Sequence, residues 1–298
     1  MNAGFKIIER EILEKIKDEL DKIGMFYRLF GRIKDDKSIK EKISRKFEEG
    51  QEYKIEGKKI QDLLGIRVVT YFKDDIILVK EILSKKFDFI DEEIDELDLT
   101  VFKPKRTNII CEFSNDQKEV MQEVKKATQN IDYELIDDTF ELQLRTVLSE
   151  GWHEIDHGLR YKCKLDWQGR TEEERMLNGI YATLETNDIV LKNLFNELAY
   201  KHFKNNNWEA LMRTKFRLKF QMGSLNSEII DILDKKMVIG KKILKLDRIE
   251  VLKKIAKSDF SLPVNLNNLF YLINGFEIKD EDVFAITPEL IISFFKKQ

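Results

Sequence analysis

The stretch Phe140–Lys162, FELQLRTVLSEGWHEIDHGLRYK, decides the fold, because two hydrophobic periods meet within it. From Phe140 to Arg145 apolar and polar residues alternate. A strand there buries Phe140, Leu142 and Leu144 and turns Glu141, Gln143 and Arg145 to its other face. A carboxylate, an amide and a guanidinium side by side suggest a metal and phosphate site. The run that follows reads as a helix entering at Thr146 or soon after. On it Trp152, Asp156 and Arg160 recur every four residues, as do His153, His157 and Tyr161. Strand and helix together read as one wall of a site.

Outward from this block, Phe5, Ile8, Ile12, Ile16, Leu20 and Ile23 recur at helical spacing, which predicts an amphipathic N-terminal helix ended by Gly24. Ile66–Phe72, IRVVTYF, reads as a buried strand, and Asp74–Lys86 as the helix after it. Further strands are predicted at Leu99–Phe102 and Asn108–Phe113, and a helix at Gln117–Thr128. This order implies an α+β fold in which helices flank a mixed β-sheet. After Gly169 the pattern turns almost wholly helical. Thr171 with Glu174 reads as a capping-box start, and further helices are predicted at Asn226–Lys242, Arg248–Lys257, Leu266–Ile273 and Pro288–Lys297. The expected division is a domain over residues 1–170 and an all-helical region over 171–298. The second region carries no motif; its apolar stripes fit a homo-oligomer interface, an autoinhibitory cap or a partner sensor.

Composition narrows the class of partner. With 52 Lys+Arg against 55 Asp+Glu the chain is nearly neutral, so bulk charge draws it neither to nucleic acid nor to a membrane, and any basic site is local. Cys111 and Cys163 are the two cysteines and form no C-x-x-C, which argues against a disulfide framework and a cysteine-held zinc. No run of about 18 apolar residues and no basic-then-apolar leader occurs, so the expected location is the cytoplasm, with no membrane partner.

Two more segments carry chemistry. Gly31–Lys42, GRIKDDKSIKEK, sets out Arg32, Lys34, Ser38 and Lys42 as R-x-K-x3-S-I-x2-K, a cluster suited to the charge of a triphosphate, with a solvated basic loop as the alternative. Asp62–Arg67, DLLGIR, places an acid before the first core strand. The block that opened this section resembles the signature of the RelA/SpoT-type nucleotide pyrophosphokinases. Their strand reads E-[LIV]-Q-[LIV]-R-T, and the helix after it ends in W-x-x-[LI]-[ED]-H-x-[LI]-[RK]-Y-K. Glu141, Gln143, Arg145, Thr146, Trp152, Asp156, His157, Arg160, Tyr161 and Lys162 all fall in register.

The resemblance implies a nucleotidyltransferase-like synthetase fold and transfer of the β,γ-diphosphate of ATP to a 3′-hydroxyl, with release of AMP. It assigns Arg32, Lys34, Ser38, Lys42 and Arg67 to ATP, and Asp62 and Glu141 to Mg2+. Glu141, Asp62, Arg145 and Gln143 are its catalytic set. Family members that make guanosine alarmones carry a G-Y-x-S-x-H loop before the Glu strand. Here that place reads Phe102–Phe113, FKPKRTNIICEF, without tyrosine or histidine. Lys103, Lys105, Arg106 and Asn108, with Asp156 and His157, are then the candidate acceptor contacts, and the acceptor is a nucleotide or the 3′ end of an RNA. No His-Asp dipeptide occurs, so the hydrolase of the family's long members is not expected.

Two rivals stand beside this. A nucleotide-binding regulatory protein of the same fold is one, since the acceptor loop is altered. The other is a zinc protease: His153–His157, HEIDH, is H-E-x-x-H, and would need His202 or Glu185 as a third ligand.

Overall fold

The computed structural model describes residues 3–94, 107–128, 130–219 and 223–297. Among them the strands are β1 (Tyr27–Ile33), β2 (Leu64–Thr70), β3 (Phe89–Ile94), β4 (Thr107–Glu112) and β5 (Thr139–Thr146). They form one mixed sheet in the order β1-β2-β5-β4-β3. The central pair, β2 and β5, is parallel, and every other pairing is antiparallel. The alternation read from Phe140 onward is present as expected: Phe140, Leu142 and Leu144 are buried, as are Ile66 and Val68 of β2 and Ile109 and Cys111 of β4. Phe140 is wedged between Phe87, edge-on at 5.4 Å, and Phe113, stacked at 6.0 Å. The opposite face keeps its polar residues, and register aligns them. Gly65 sits beside Glu141, and Arg67 beside Gln143. Across β4, Asn108 faces Gln143.

Helices α1 (Ala3–Lys22), α2 (Asp36–Glu48), α3 (Lys73–Leu83), α4 (Asn115–Thr128), α5 (Val147–Ile155) and α6 (Thr171–Lys204) interleave with the strands, and α7 (Trp208–Phe216) to α13 (Glu289–Lys296) follow. None of the described helices is long and apolar enough to cross a membrane. The chain divides into two compact units, one of residues 1–17, 27–70 and 83–184, the other of 18–26, 71–82 and 185–298. The first holds the whole sheet. In it α1 buries Phe5, Ile8, Ile12 and Ile16, and the Gln117 amide of α4 donates to Glu11 of α1 at 3.4 Å. The second unit has an ionic centre: the Arg248 guanidinium donates to Asp75 at 2.5 Å and to the Phe216 carbonyl at 2.7 Å, while Arg217 donates to Asp74 at 2.6 Å.

Several elements differ from the sequence expectation. The strand expected at Ile66–Phe72 starts earlier, at Leu64, and the helix after it spans Lys73–Leu83. Leu99–Phe102 lies outside the described residues. β1, β3, α2 and α7 were not anticipated; β1 contains Gly31 and β3 has three acids in a row, so neither has an alternating signature. The helix after β5 stops at Ile155 and passes into a π-helical turn, Asp156–Tyr161, instead of running on regularly. Thr171 is the first residue of α6 rather than its cap. The helix expected over Asn226–Lys242 is two, α8 (Ser227–Lys235) and α9 (Met237–Lys245), broken at Lys236. The Lys236 ammonium is held there by Asp280 at 2.9 Å and Asp282 at 2.7 Å, a tertiary constraint that no local pattern records.

Candidate active site

Asp62 is placed by the segment just before β2. The Ile60 N–H donates to the Leu135 carbonyl at 2.8 Å, the Asp137 N–H donates to the Ile60 carbonyl at 2.9 Å, and the Thr139 hydroxyl donates to the Gln61 carbonyl at 3.2 Å. This run is therefore tied alongside the approach to β5, and Asp62 is held near Glu141. From the other side the Lys34 N–H, just past β1, donates to the Leu63 carbonyl at 2.9 Å. The side chains then meet. The Lys42 ammonium of α2 donates to one oxygen of Asp62 at 2.6 Å, and Lys34 pairs with the other. Burial alone would raise the Asp62 carboxyl, but the two ammoniums outweigh it and hold it below the usual carboxylate range. Lys34 is pulled down by burial and by Lys42, against the pull of Asp62. Glu141 moves the other way: burial, and then the Asp62 charge, push its carboxyl up, opposed by the hydrogen bond from Gln143.

A continuous line of hydrogen bonds runs along the face from Glu141. The Gln143 side-chain amide donates to Glu141 at 2.8 Å, and the Arg67 Nε–H donates to the Gln143 side-chain oxygen Oε1 at 3.1 Å. Arg67 Nη1 pairs with both Glu150 and Glu154 of α5. The second oxygen of Glu150 accepts from Arg145 at 3.0 Å. Burial, and next the nearby Arg67 charge, lower Arg145 from its ordinary value. Glu150 is a side chain that the sequence reading missed, and Glu154 entered it only as the glutamate of H-E-x-x-H. Two acids at i and i+4 on the helix after the E-x-Q-x-R strand were the available signal.

The remaining expected residues are placed as follows. Arg32 is exposed on β1, opposite Gly65. The Ser38 N–H donates to Asp35 at 2.7 Å and so caps α2. Asn108 is half-buried across from Gln143. The His157 ring stacks on Tyr161 at 5.7 Å, and burial followed by Lys162 and Arg32 lowers its pKa. Asp156 pairs with Arg160, whose guanidinium lies over Trp152 at 5.6 Å and donates to Asn178 at 3.1 Å. Lys103, Lys105 and Arg106 lie outside the described residues.

Asp62 and Glu141 fit a magnesium ion. They are hard oxygen donors, and burial together with the neighbouring acid works against a charge on Glu141, a penalty that a cation relieves. Among the described residues no three metal-ligating side chains cluster. Two carboxylates are what a magnesium ion commonly takes from a protein, with substrate phosphates as its other ligands. The zinc alternative finds no such support: His153 is buried against Trp152 and Tyr181, and the Glu154 carboxylate is held by Arg67.

Residues 31–166 match the family model described as the region found in RelA / SpoT proteins. Among solved structures, small alarmone synthetase 1 from Bacillus subtilis is similar to this chain at 22% identity and a TM-score of 0.46, over 65% of this chain and 95% of that one. A GTP pyrophosphokinase family protein from Streptococcus pneumoniae is similar at 23% identity and a TM-score of 0.47, over 64% and 88%. Small alarmone synthetase 2 from Bacillus subtilis is similar at 18% identity and a TM-score of 0.43, over 66% and 98%. No curated protein matches the chain.

Proposed function

We propose, from the match of residues 31–166 to the RelA/SpoT family model, that this chain is a nucleotide pyrophosphokinase. It transfers the β,γ-diphosphate of ATP to the 3′-hydroxyl of a nucleotide or RNA acceptor and releases AMP. The acceptor oxygen bonds to the β-phosphorus, the bond from that phosphorus to the α,β-bridging oxygen breaks, and the hydroxyl proton passes to Glu141. One observation carries the reading. Lys34 and Lys42 close on Asp62, whose charge acts on Glu141, and from Glu141 a hydrogen-bonded line runs through Gln143, Arg67 and Glu150 to Arg145.

Each group has a role suited to its place. Lys34, Lys42 and Arg67, with Arg32 and Ser38 at the rim, hold the triphosphate. Arg145 steadies charge that develops on the transferred group, and Gln143 orients Glu141 and Arg67 at once. Asp62 and Glu141 would hold magnesium, which when bound supplies Lewis-acid neutralisation of phosphate oxygens. Asn108, Asp156 and His157, with Lys103, Lys105 and Arg106, are assigned to the acceptor.

The test is incubation with magnesium and ATP labelled on its γ-phosphorus, against GDP, GTP, ADP, ATP and deacylated tRNA in separate reactions. Label is expected on one acceptor class and is expected to vanish in Glu141→Gln. ATP binding without transfer to any of the five would replace this reading with a nucleotide-binding regulatory protein of the same fold.

A further inference from the structure

Two acids on the site face have no part in the proposed reaction. Glu150 and Glu154 stand one helical turn apart on α5, and both pair with Arg67. They differ in depth. Glu150 is 16% exposed and bridges Arg67 to Arg145, so it holds two like-charged guanidiniums side by side. Glu154 is 63% exposed and its carboxylate pairs with Arg67 at the open edge. A carboxylate on a guanidinium makes the charge-assisted contacts that a phosphate oxygen makes. An ion pair this exposed contributes little, so a polyphosphate carrying several charges displaces it readily.

We propose that Glu154 is an internal stand-in for substrate phosphate: it occupies Arg67 in the free protein and yields to the polyphosphate chain of a nucleotide, while Glu150 stays as the fixed bridge. The inference rests on the proposed function only in taking Arg67 as a phosphate contact. Its consequence is a tax on affinity. The protein binds its anion only from the fraction of molecules in which Glu154 has let go, so the apparent affinity is reduced by that fraction. The arginine pair is meanwhile kept neutralised and in position. Small singly charged anions gain too little to evict the carboxylate, which favours polyphosphates over them.

The test is calorimetric titration of the full chain with ATP and, separately, with inorganic tripolyphosphate. Wild type is compared with Glu154→Gln and with Glu172→Gln, which removes the same charge from an exposed position on α6. Glu154→Gln is expected to bind both anions about two- to fivefold more tightly, the range an exposed ion pair allows. Glu172→Gln is expected to match wild type. Unchanged or weaker binding by Glu154→Gln overturns the inference, as does equal tightening by Glu172→Gln or no anion binding by any of the three. The label-transfer assay judges the reaction separately. Tighter tripolyphosphate binding without transfer keeps the stand-in and removes the reaction; transfer without tightening does the reverse.

Discussion

Gly65 lies beside Glu141 and opposite Arg32, yet nothing among the described residues requires a glycine there. A Cβ would come no closer than 3.9 Å, to the Arg32 carbonyl, and no positive φ is involved. Gly65→Ala is therefore expected to gain about 0.5 kcal/mol of stability, as glycine in a strand costs that much against alanine. On the proposed function the same variant is expected to lose about tenfold or more in diphosphate transfer, because a methyl group would intrude beside Glu141. Urea unfolding and the transfer assay on one preparation check both halves, and full activity would mean the space is not used. At this scale the sequence was a fair guide to which residues lie side by side, because Glu141, Gln143 and Arg145 share a face by strand period alone. It was silent on their partners. Arg67 meets Glu150 across 83 positions of chain, and no local pattern encodes that meeting.

The helix α5 carries Glu150 and Glu154, and its first turn fixes where they aim. The Thr146 hydroxyl accepts from the Ser149 N–H at 3.1 Å, while the Ser149 hydroxyl accepts from the Thr146 N–H at 3.0 Å, a reciprocal cap at the strand-to-helix corner. Thr146→Ala is expected to cost about 1–2 kcal/mol in urea unfolding, and Thr146→Ser to recover most of it. Equal losses in the two variants would show that packing at this buried position, not the hydroxyl, is what counts. Elements with a strong local period, such as β5, α10 (Arg248–Lys257) and α11 (Leu266–Ile273), were legible from sequence. The π-helical turn at Asp156–Tyr161 was not. Trp152, Asp156 and Arg160 keep four-residue spacing whether one turn is widened or not, so the pattern hides the change.

In the second compact unit, segments 18–26 and 71–82 gather with residues 185–298. Asp75, 1% exposed, pairs with Arg248, 5% exposed, across 173 positions, and the Lys219 N–H donates to the Gly24 carbonyl at 2.7 Å. A buried charge stripped of its partner is strongly penalised. Asp75→Asn is thus expected to cost about 3–5 kcal/mol in urea unfolding, and wild-type stability would refute the assigned role of the pair. A chain ending at residue 201 keeps every proposed catalytic side chain and strands Asp75; it is expected to be degraded faster than the full chain in limited proteolysis. By itself the sequence determined the α+β pattern, the two faces of β5 and the match of residues 31–166 to the RelA/SpoT family model. Period and motif are properties of neighbouring residues, set by backbone geometry and by which side chains avoid water. Only the tertiary structure decided that Asp62 is gripped by two lysines, that Glu150 and Glu154 engage the site arginines, and that early segments complete the second unit. Those contacts join residues far apart in the chain, and their energies exist only once the chain has folded.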